Sequence, residues 1–210
     1  MFIVNRSYKY FSNLRRSEIS QTLRGSNYAI YIANNRLYSS SRLVTKASNI
    51  CVHIRRGDFT NSTMHLPSDA QFTIAGLKML IEKAYSEDNT KPRVYIFTDN
   101  IGWTKAKVVK PFERLNVNNI SLQIAIPHAH QPPNVEWEFS RMYCDWMLLT
   151  AATSTYGWWL GFLSKGQKVY YNERHFRPGD RPDEFSSLDF WLPQWIPLLN
   201  SSNNSRMIEL

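Results

Sequence analysis

Hydrophobic positions after residue 47 fall into short apolar runs separated by amphipathic stretches. The runs are rich in β-branched and aromatic side chains, which predicts buried strands, and the stretches repeat at helical spacing. The predicted strands are 50–54, 94–97, 120–125, 147–152 and 169–171. The predicted helices are 69–85, 102–113, 135–146 and 158–163, the first opened by a capping box from Ser68 to Gln71. Strands alternating with helices predict an α/β fold with a Rossmann-like parallel sheet.

The chain divides into three parts by sequence character. Residues 1–46 are polar and basic, with short predicted helices at 17–24 and 28–37. Residues 47–199 hold the alternating pattern and form one predicted Rossmann-like domain. Residues 200–210 are polar and predicted to be a disordered tail.

The charge of the chain suggests a partner that carries phosphate. The net charge is +8 over 210 residues, and 43% of the residues are hydrophobic, which indicates a packed core. A basic domain favours nucleic acid or a nucleotide. The basic residues are scattered, at 15–16, 55–56 and 174–181, and do not form one long run. We therefore expect a nucleotide and no nucleic-acid partner.

Two cysteines, Cys51 and Cys144, are far apart in sequence and show no metal-ligand spacing. We expect two buried thiols, with a single disulfide left open. The uncharged stretch 146–164 is interpreted as a strand, a turn and a buried helix, not as a membrane span. The apolar run at the N-terminus is too short for a signal peptide. Sequons for N-glycosylation occur at Asn5, Asn61, Asn119, Asn200 and Asn203.

Polar residues of the types used in catalysis and ligand binding follow three of the predicted strands. They are His53, Arg55, Arg56 and Asp58 after the first, Thr98, Asp99 and Asn100 after the second, and Thr153, Ser154 and Thr155 after the fourth. The carboxyl ends of parallel strands share one edge, so these side chains can line one crevice.

The residue types in this crevice suit a diphosphate. A helix that starts at Ser154 and Thr155 offers backbone amides to an anion, and an arginine can grip phosphate with two nitrogens. The structural alternative is that Ser154 only caps a helix and Arg55 only pairs with Asp58. Their joint occurrence at strand ends favours a ligand. No P-loop or dinucleotide fingerprint is present, and no Asp-X-Asp pair exists to hold a metal.

Four segments together resemble a known family. His53–Phe59, with the pattern His-X-Arg-Arg-Gly-Asp-aromatic, resembles the signature of the α1,2-fucosyltransferases. Residues 94–103 (VYIFTDNIGW), 145–150 with 154–159 (DWMLLT and STYGWW) and 192–195 (LPQW) are similar to further motifs of that family. The resemblance spans residues 48–197 and is closest to the invertebrate branches.

The resemblance implies the donor half of a GT-B glycosyltransferase. It implies GDP-β-L-fucose as donor, a galactose-terminated glycan as acceptor, and an inverting transfer to the 2-hydroxyl without metal or cofactor. It also implies a type II membrane protein in the Golgi lumen, held by an anchor that this chain lacks. Residues 1–46 would then be a remnant of the acceptor-side half.

The resemblance also assigns roles by position. Arg55 would hold the β-phosphate and stabilise the departing GDP, and His53, Ser154 and Thr155 would join it in binding the donor. Asp145 would contact the guanine side. The supporting residues would be Arg56, Asp58 and Asp99, the two carboxylates being candidates for the acceptor base. Since most of the family's N-terminal half is missing, a non-catalytic GDP-sugar-binding module is the alternative to an enzyme.

Overall fold

The computed structural model describes residues 8–11, 13–37, 47–117, 120, 122–125, 134–174, 176, 185–200 and 207–209. The described strands form one sheet. They are β1 (Asn49–Ile54), β2 (Arg93–Thr98), β3 (Leu122–Ala125), β4 (Trp146–Leu149), β5 (Lys168–Asn172), β6 (Ile196–Asn200) and β7 (Met207–Glu209).

The strand order is β3-β2-β1-β4-β5-β6-β7, and every neighbouring pair is parallel except the antiparallel pair β6 and β7. From β3 to β6 this is the order of a doubly wound sheet, in which the chain reverses direction across the sheet between β1 and β4. The predicted α/β Rossmann-like fold is confirmed. The crevice at the carboxyl ends of β1 and β4 is where such sheets bind ligands.

Helices cover both faces of the sheet. They are α1 (Arg16–Thr22), α2 (Asn27–Ile32), α3 (Ala70–Asp88), α4 (Ile101–Thr104), α5 (Lys110–Arg114), α6 (Asn134–Tyr143), α7 (Thr155–Leu163) and α8 (Ser187–Phe190). A π-helical segment, Ala33–Leu37, follows α2, and another, Lys105–Val109, joins α4 to α5. Short 3₁₀ turns lie at Tyr8–Phe11 and Asp58–Asn61.

Side chains of β1 alternate between two hydrophobic clusters, as the two-residue period of a strand requires. Ile50, Val52 and Ile54 pack with α3 on one face. Cys51 packs with residues of α6 and α7 on the other face. Since His53 has the same parity as Cys51, its side chain points toward the α6–α7 face.

The expectation of two free thiols is wrong, because Cys51 and Cys144 form a disulfide. Cys51 points from β1 toward α6, and Cys144 comes one residue after α6 ends at Tyr143. Their Cα atoms are 5.6 Å apart, a usual separation for bonded cysteines. The sequence separation of 93 residues hid this proximity.

Several element boundaries differ from the sequence prediction, among them those at α6, at α3 and at the C-terminus. Helix α6 ends at Tyr143, and Trp146 opens β4 instead of closing the helix. The N-cap of α3 is Asp69, which accepts the Phe72 amide at 2.8 Å, and not Ser68. The predicted disordered tail includes β7, which pairs with β6.

The N-terminal helices rest on the α6–α7 layer. Arg16 of α1 donates to the carbonyls of Phe162 at 2.8 Å and Ser164 at 2.6 Å. The Gly25 amide donates to the Glu138 carboxylate of α6 at 2.6 Å. The uncharged stretch 146–164 is strand, turn and helix, as predicted. No helix within the described ranges has the length and apolar character to cross a membrane.

Candidate functional site

Hydrogen bonds join the loops that follow β1 and β4 at the switch point. The Thr150 hydroxyl donates to the His53 carbonyl at 2.7 Å and lies 2.6 Å from the Ser68 hydroxyl. Ser68 in turn accepts the Arg55 amide at 2.9 Å and donates its own amide to the Arg55 carbonyl at 2.9 Å. Three segments distant in sequence therefore fix the backbone of Arg55.

The Arg55 guanidinium lies at the mouth of the crevice between two carboxylates. Its Nε donates to Asp58 at 2.9 Å and lies 3.2 Å from Asp99. The Asp58 side chain is 67% exposed, whereas the Asp99 side chain is 23% exposed. Arg55 also lies over the Phe59 ring, 5.8 Å from its centroid. An incoming anion can displace the exposed Asp58, while Asp99 keeps Arg55 in place.

The Arg56 side chain and backbone are held by contacts with other protein groups. Its guanidinium donates to the Ser68 carbonyl at 3.0 Å and lies over the Trp103 ring at 4.4 Å. Its amide donates to Asp99 at 2.8 Å. Gly57 is required next to it, since a Cβ there would lie 2.6 Å from the Asp99 carboxylate. Arg56 therefore shapes the loop that presents Arg55.

The N-terminus of α7 lies at the same edge of the sheet. Ser154 caps the helix by accepting the Gly157 amide at 3.3 Å, and Thr155 is its first residue. The nine residues of α7 carry no negative charge that would repel an anion from its N-terminus. Ser154 is thus the cap of α7, and a capping role does not by itself exclude contact with a ligand.

His53 lies behind this helix start and is neutral. The residue is 2% exposed, and its Nδ1 has no hydrogen-bond partner among the described residues. Burial, with a smaller effect of Arg55, lowers the pKa of His53 to about 3. Gly157 passes so close that a Cβ would lie 2.5 Å from Nδ1. His53 therefore serves as an uncharged wall of the crevice.

A buried acid joins the first turns of α6 and α7. Glu136 of α6 is 8% exposed and accepts a 2.6 Å hydrogen bond from the Tyr156 hydroxyl of α7. Burial raises the pKa of Glu136 to about 7, against a smaller opposite effect of the Tyr156 bond. Burial and Glu136 raise the pKa of Tyr156 above its ordinary value, whereas Arg55 acts to lower it. The Tyr156 ring centroid is 5.9 Å from that of His53.

The loop after β1 returns to the crevice through His65. The His65 ring stacks on Phe59 at 4.8 Å, and its Nδ1 lies 3.0 Å from the Thr153 hydroxyl. Phe59 therefore lies close to both the His65 imidazole and the Arg55 guanidinium.

The structure separates Asp145 from the other predicted site residues. Asp145 precedes β4 at the amino end of the sheet, where its carboxylate accepts the Asn49 amide at 3.0 Å and pairs with Lys165 at 2.8 Å. Arg55 lies about 20 Å away along β1. The expected guanine contact of Asp145 does not fit this placement, and we remove Asp145 from the candidate site.

The other predicted site residues lie at the carboxyl edge of the sheet. They form two sets. His53, Arg55, Ser154 and Thr155 lie at the end of β1 and the start of α7, and Arg56, Asp58 and Asp99 hold Arg55 or its loop. Thr98 and Asn100 are used locally: Thr98 bonds the Thr104 hydroxyl at 2.9 Å, and Asn100 caps α4.

The structure also bears on the predicted glycosylation sequons and on metal binding. Among the sequons, Asn61 is exposed at the end of its 3₁₀ turn, and Asn200 ends β6. Asn5, Asn119 and Asn203 lie outside the described residues. Where the structure describes the chain, no three His, Cys, Asp or Glu side chains are grouped to hold a metal ion.

The comparisons with known proteins agree with this geometry. Residues 7–198 match the sequence profile of Glycosyl transferase family 11. The chain belongs to this family. Among its relatives is a Caenorhabditis elegans galactoside 2-alpha-L-fucosyltransferase, 30% identical over 213 residues that cover 94% of this chain. A second C. elegans relative, provisionally named galactoside 2-alpha-L-fucosyltransferase svh-11, is 31% identical over 95% of the chain.

This family 11 chain spans about half the length of the curated relatives that it matches, since each alignment covers 52% of the relative. The resemblance read from the sequence motifs is confirmed at the level of the family. Sequence reasoning missed Glu136, Tyr156, His65 and the Ser68–Thr150 bond. Tyr156 lies inside a quoted motif, but nothing local marked its hydroxyl as a partner of Glu136.

Proposed function

We propose that the chain binds GDP-β-L-fucose and transfers the L-fucosyl group to the 2-hydroxyl of a terminal galactose on a glycan. The observation that carries the proposal is the position of Arg55 beside the N-terminus of α7, at the switch point of a family 11 sheet. The names of the C. elegans relatives support the choice of fucose and galactose.

The diphosphate would lie between the Arg55 guanidinium and the first turn of α7. Arg55 would exchange its exposed partner Asp58 for the β-phosphate and keep its bond to Asp99. The amides of α7 and the hydroxyls of Ser154 and Thr155 would bind the other oxygens. Neutral His53 behind them adds no competing charge.

In the reaction, the bond between C1 of fucose and the β-phosphate oxygen breaks as galactose O2 attacks from the opposite face. The configuration at C1 is therefore inverted. Negative charge grows on the departing GDP, and fixed positive groups aimed at it lower the barrier. Arg55 and α7 supply such charge without a divalent ion, so we propose metal-independent transfer. Treatment with EDTA should leave the rate unchanged.

The proposed compartment is the Golgi lumen, with the protein held there as a type II membrane protein. The Cys51–Cys144 disulfide supports an oxidising compartment. The exposed sequon at Asn61 is also compatible with passage through the secretory pathway.

Binding and transfer test the proposal separately. Calorimetry with GDP-fucose, and with single-stranded DNA as a control, should show binding of the nucleotide sugar only. Transfer of labelled fucose to a β-galactoside should then follow. Arg55→Ala should abolish most binding and transfer, whereas Arg114→Ala, at an exposed arginine of α5, should change neither.

One alternative has an observation in its favour. Because the chain spans about half the length of its relatives, it can be a non-catalytic GDP-sugar-binding module. Binding of GDP-fucose with no transfer by the wild-type chain would favour this alternative. No binding at all would refute both functions.

A further inference from the structure

Transfer of fucose to a hydroxyl releases a proton, and the donor site described above does not say which group receives it. The inference about this proton acceptor rests on the proposed function. A general base must be a proton acceptor at the operating pH and must lie at the reacting edge of the sheet. Four candidates, Asp58, Asp99, His53 and Glu136, lie at or near this edge.

Asp58 and Asp99 are poorly suited to this task. Both carboxylates contact the Arg55 guanidinium, at 2.9 and 3.2 Å. A carboxylate oxygen that bonds a guanidinium is already engaged and is not free to receive the proton of the acceptor hydroxyl. Both also belong on the donor side, where Arg55 would bind the leaving diphosphate.

His53 is unsuited for a different reason. Its ring is buried, and protonation there would place a second positive charge close to Arg55. An imidazole in such a setting holds a proton only under strongly acidic conditions.

Glu136 differs from these groups in partner and in burial. In the described part of the chain it contacts no lysine, arginine or histidine, and its carboxylate bonds the Tyr156 hydroxyl at 2.6 Å. Burial without a cation makes a carboxylate a stronger base, which agrees with a pKa near neutrality.

Within the described residues, no other charged group pairs with the Glu136 carboxylate. On its own helix, Glu138 is taken by Arg141 and by the Gly25 amide. From α2, which packs on α6, Tyr28 and Tyr31 are more than half exposed. From α7, the titratable neighbour is Tyr156 itself.

Tyr156 connects this acid to the crevice. It lies in the first turn of α7, next to Ser154 and Thr155, and its ring is 5.9 Å from that of His53. Glu136 thus lies one hydrogen bond behind a hydroxyl at the reacting edge.

We infer that Tyr156 and Glu136 form a proton relay for the acceptor hydroxyl. As galactose O2 bonds to C1 of fucose, its proton passes to the Tyr156 oxygen, and the Tyr156 proton passes to Glu136. The C1–O bond to the diphosphate breaks with its electron pair, and GDP leaves. Tyr156 ends neutral as it began, and Glu136 ends protonated, so no free phenolate forms.

Two variants test the relay in the full chain. Glu136→Gln keeps the size and the hydrogen bond to Tyr156 but accepts no proton, and Tyr156→Phe keeps the ring but removes the hydroxyl. Each should lower kcat by about 100-fold or more. Each should leave the Kd for GDP-fucose, measured by calorimetry, within about twofold of wild type, a change well below the tenfold that one good hydrogen bond produces. Glu113→Gln, at an exposed acid of α5, is the matched control and should retain full kcat.

The pH profile separates proton transfer from a structural role. Wild-type log kcat should rise with pH with a slope of one and level off near neutrality, and the Glu136→Gln profile should lack this rise. Near-normal kcat in Glu136→Gln, an unchanged rise in its profile, or a loss of GDP-fucose affinity equal to the loss of kcat would each overturn the relay. If wild type does not bind GDP-fucose, the proposed function itself fails. If it binds the donor but transfers nothing, donor binding stands and the relay is refuted.

Discussion

Asp99 contacts Arg55 from the end of the neighbouring strand, with its Oδ2 3.2 Å from the Arg55 Nε. Its other oxygen accepts the amide of Arg56 at 2.8 Å. One carboxylate after β2 therefore fixes both the guanidinium and the backbone of the loop after β1. Asp58 reaches the same guanidinium from its own loop, with a more exposed side chain.

This difference predicts unequal effects of removing the two charges. Asp99→Asn should weaken GDP-fucose binding by about tenfold, since a bond to a charged group is lost and the loop is freed. Asp58→Asn should change the affinity by less than about threefold, because an exposed ion pair contributes little. Calorimetric titration of the two variants checks this order, and equal losses would contradict it.

A second prediction concerns Gly157 and its contact with His53. Gly157→Ala would place a Cβ 2.5 Å from the buried His53 Nδ1, so the free energy of unfolding should fall by about 1–3 kcal/mol. Gly102→Ala is the matched control, also in the first turn of a helix, where the nearest atom would lie 3.9 Å away. This control should be neutral or stabilising by up to about 1 kcal/mol. Urea unfolding followed by tryptophan fluorescence measures both, and similar values for the two would refute the close contact.

The disulfide gives a third prediction. A Cys51→Ala, Cys144→Ala double variant should lose about 4 kcal/mol of unfolding free energy, as expected for a link that closes a long loop. Wild type treated with a reductant should move toward the variant, whereas the variant should not respond. Thiol titration of the unfolded, unreduced wild type should find no free thiol, and two reactive thiols would contradict the bond.

A fourth prediction follows from the buried acid. The folded state raises the pKa of Glu136 from 4.5 to about 7, so the folded chain keeps this proton where the unfolded chain has lost it. The contribution of Glu136 to stability is full below pH 4.5 and is lost as the pH rises to about 7. The stability of wild type relative to Glu136→Gln should fall by about 3 kcal/mol across this window. Unfolding curves at several pH values test the sign, and a constant difference would exclude a shifted Glu136.

The sequence predicts the order of strands and helices because each element carries its own period. The apolar residues 50–54 alone are enough to predict strand β1. The polar residues that follow them identify the edge of the sheet where the candidate site lies. The end of α6 was misplaced, since Cys144 and Asp145 provide no glycine or proline to mark the turn. The sequence predicts Ser68 as the N-cap of α3, whereas the structure uses Asp69. Both residue types are good caps, and local sequence does not choose between them.

The site was predictable only where its residues are close in sequence or belong to a family motif. Arg55 and Ser154 were found in this way. The Glu136–Tyr156 bond joins two helices, and the Cys51–Cys144 bond joins a strand to a helix end, so neither leaves a local spacing. Asp145 is the opposite case. It is adjacent in sequence to β4, but it lies at the amino end of that strand, whereas the candidate site lies at the carboxyl end.

Strand β7 covers the outer edge of β6, and Glu209 of β7 pairs with Lys83 of α3. Without Met207–Glu209, the amides and carbonyls along one side of β6 would face water beside Leu198 and Leu199. Exposed apolar edges of this kind recruit strands from other molecules. Shortening the chain at its C-terminus should therefore lower the yield of soluble protein through self-association, even though the cut lies far from Arg55.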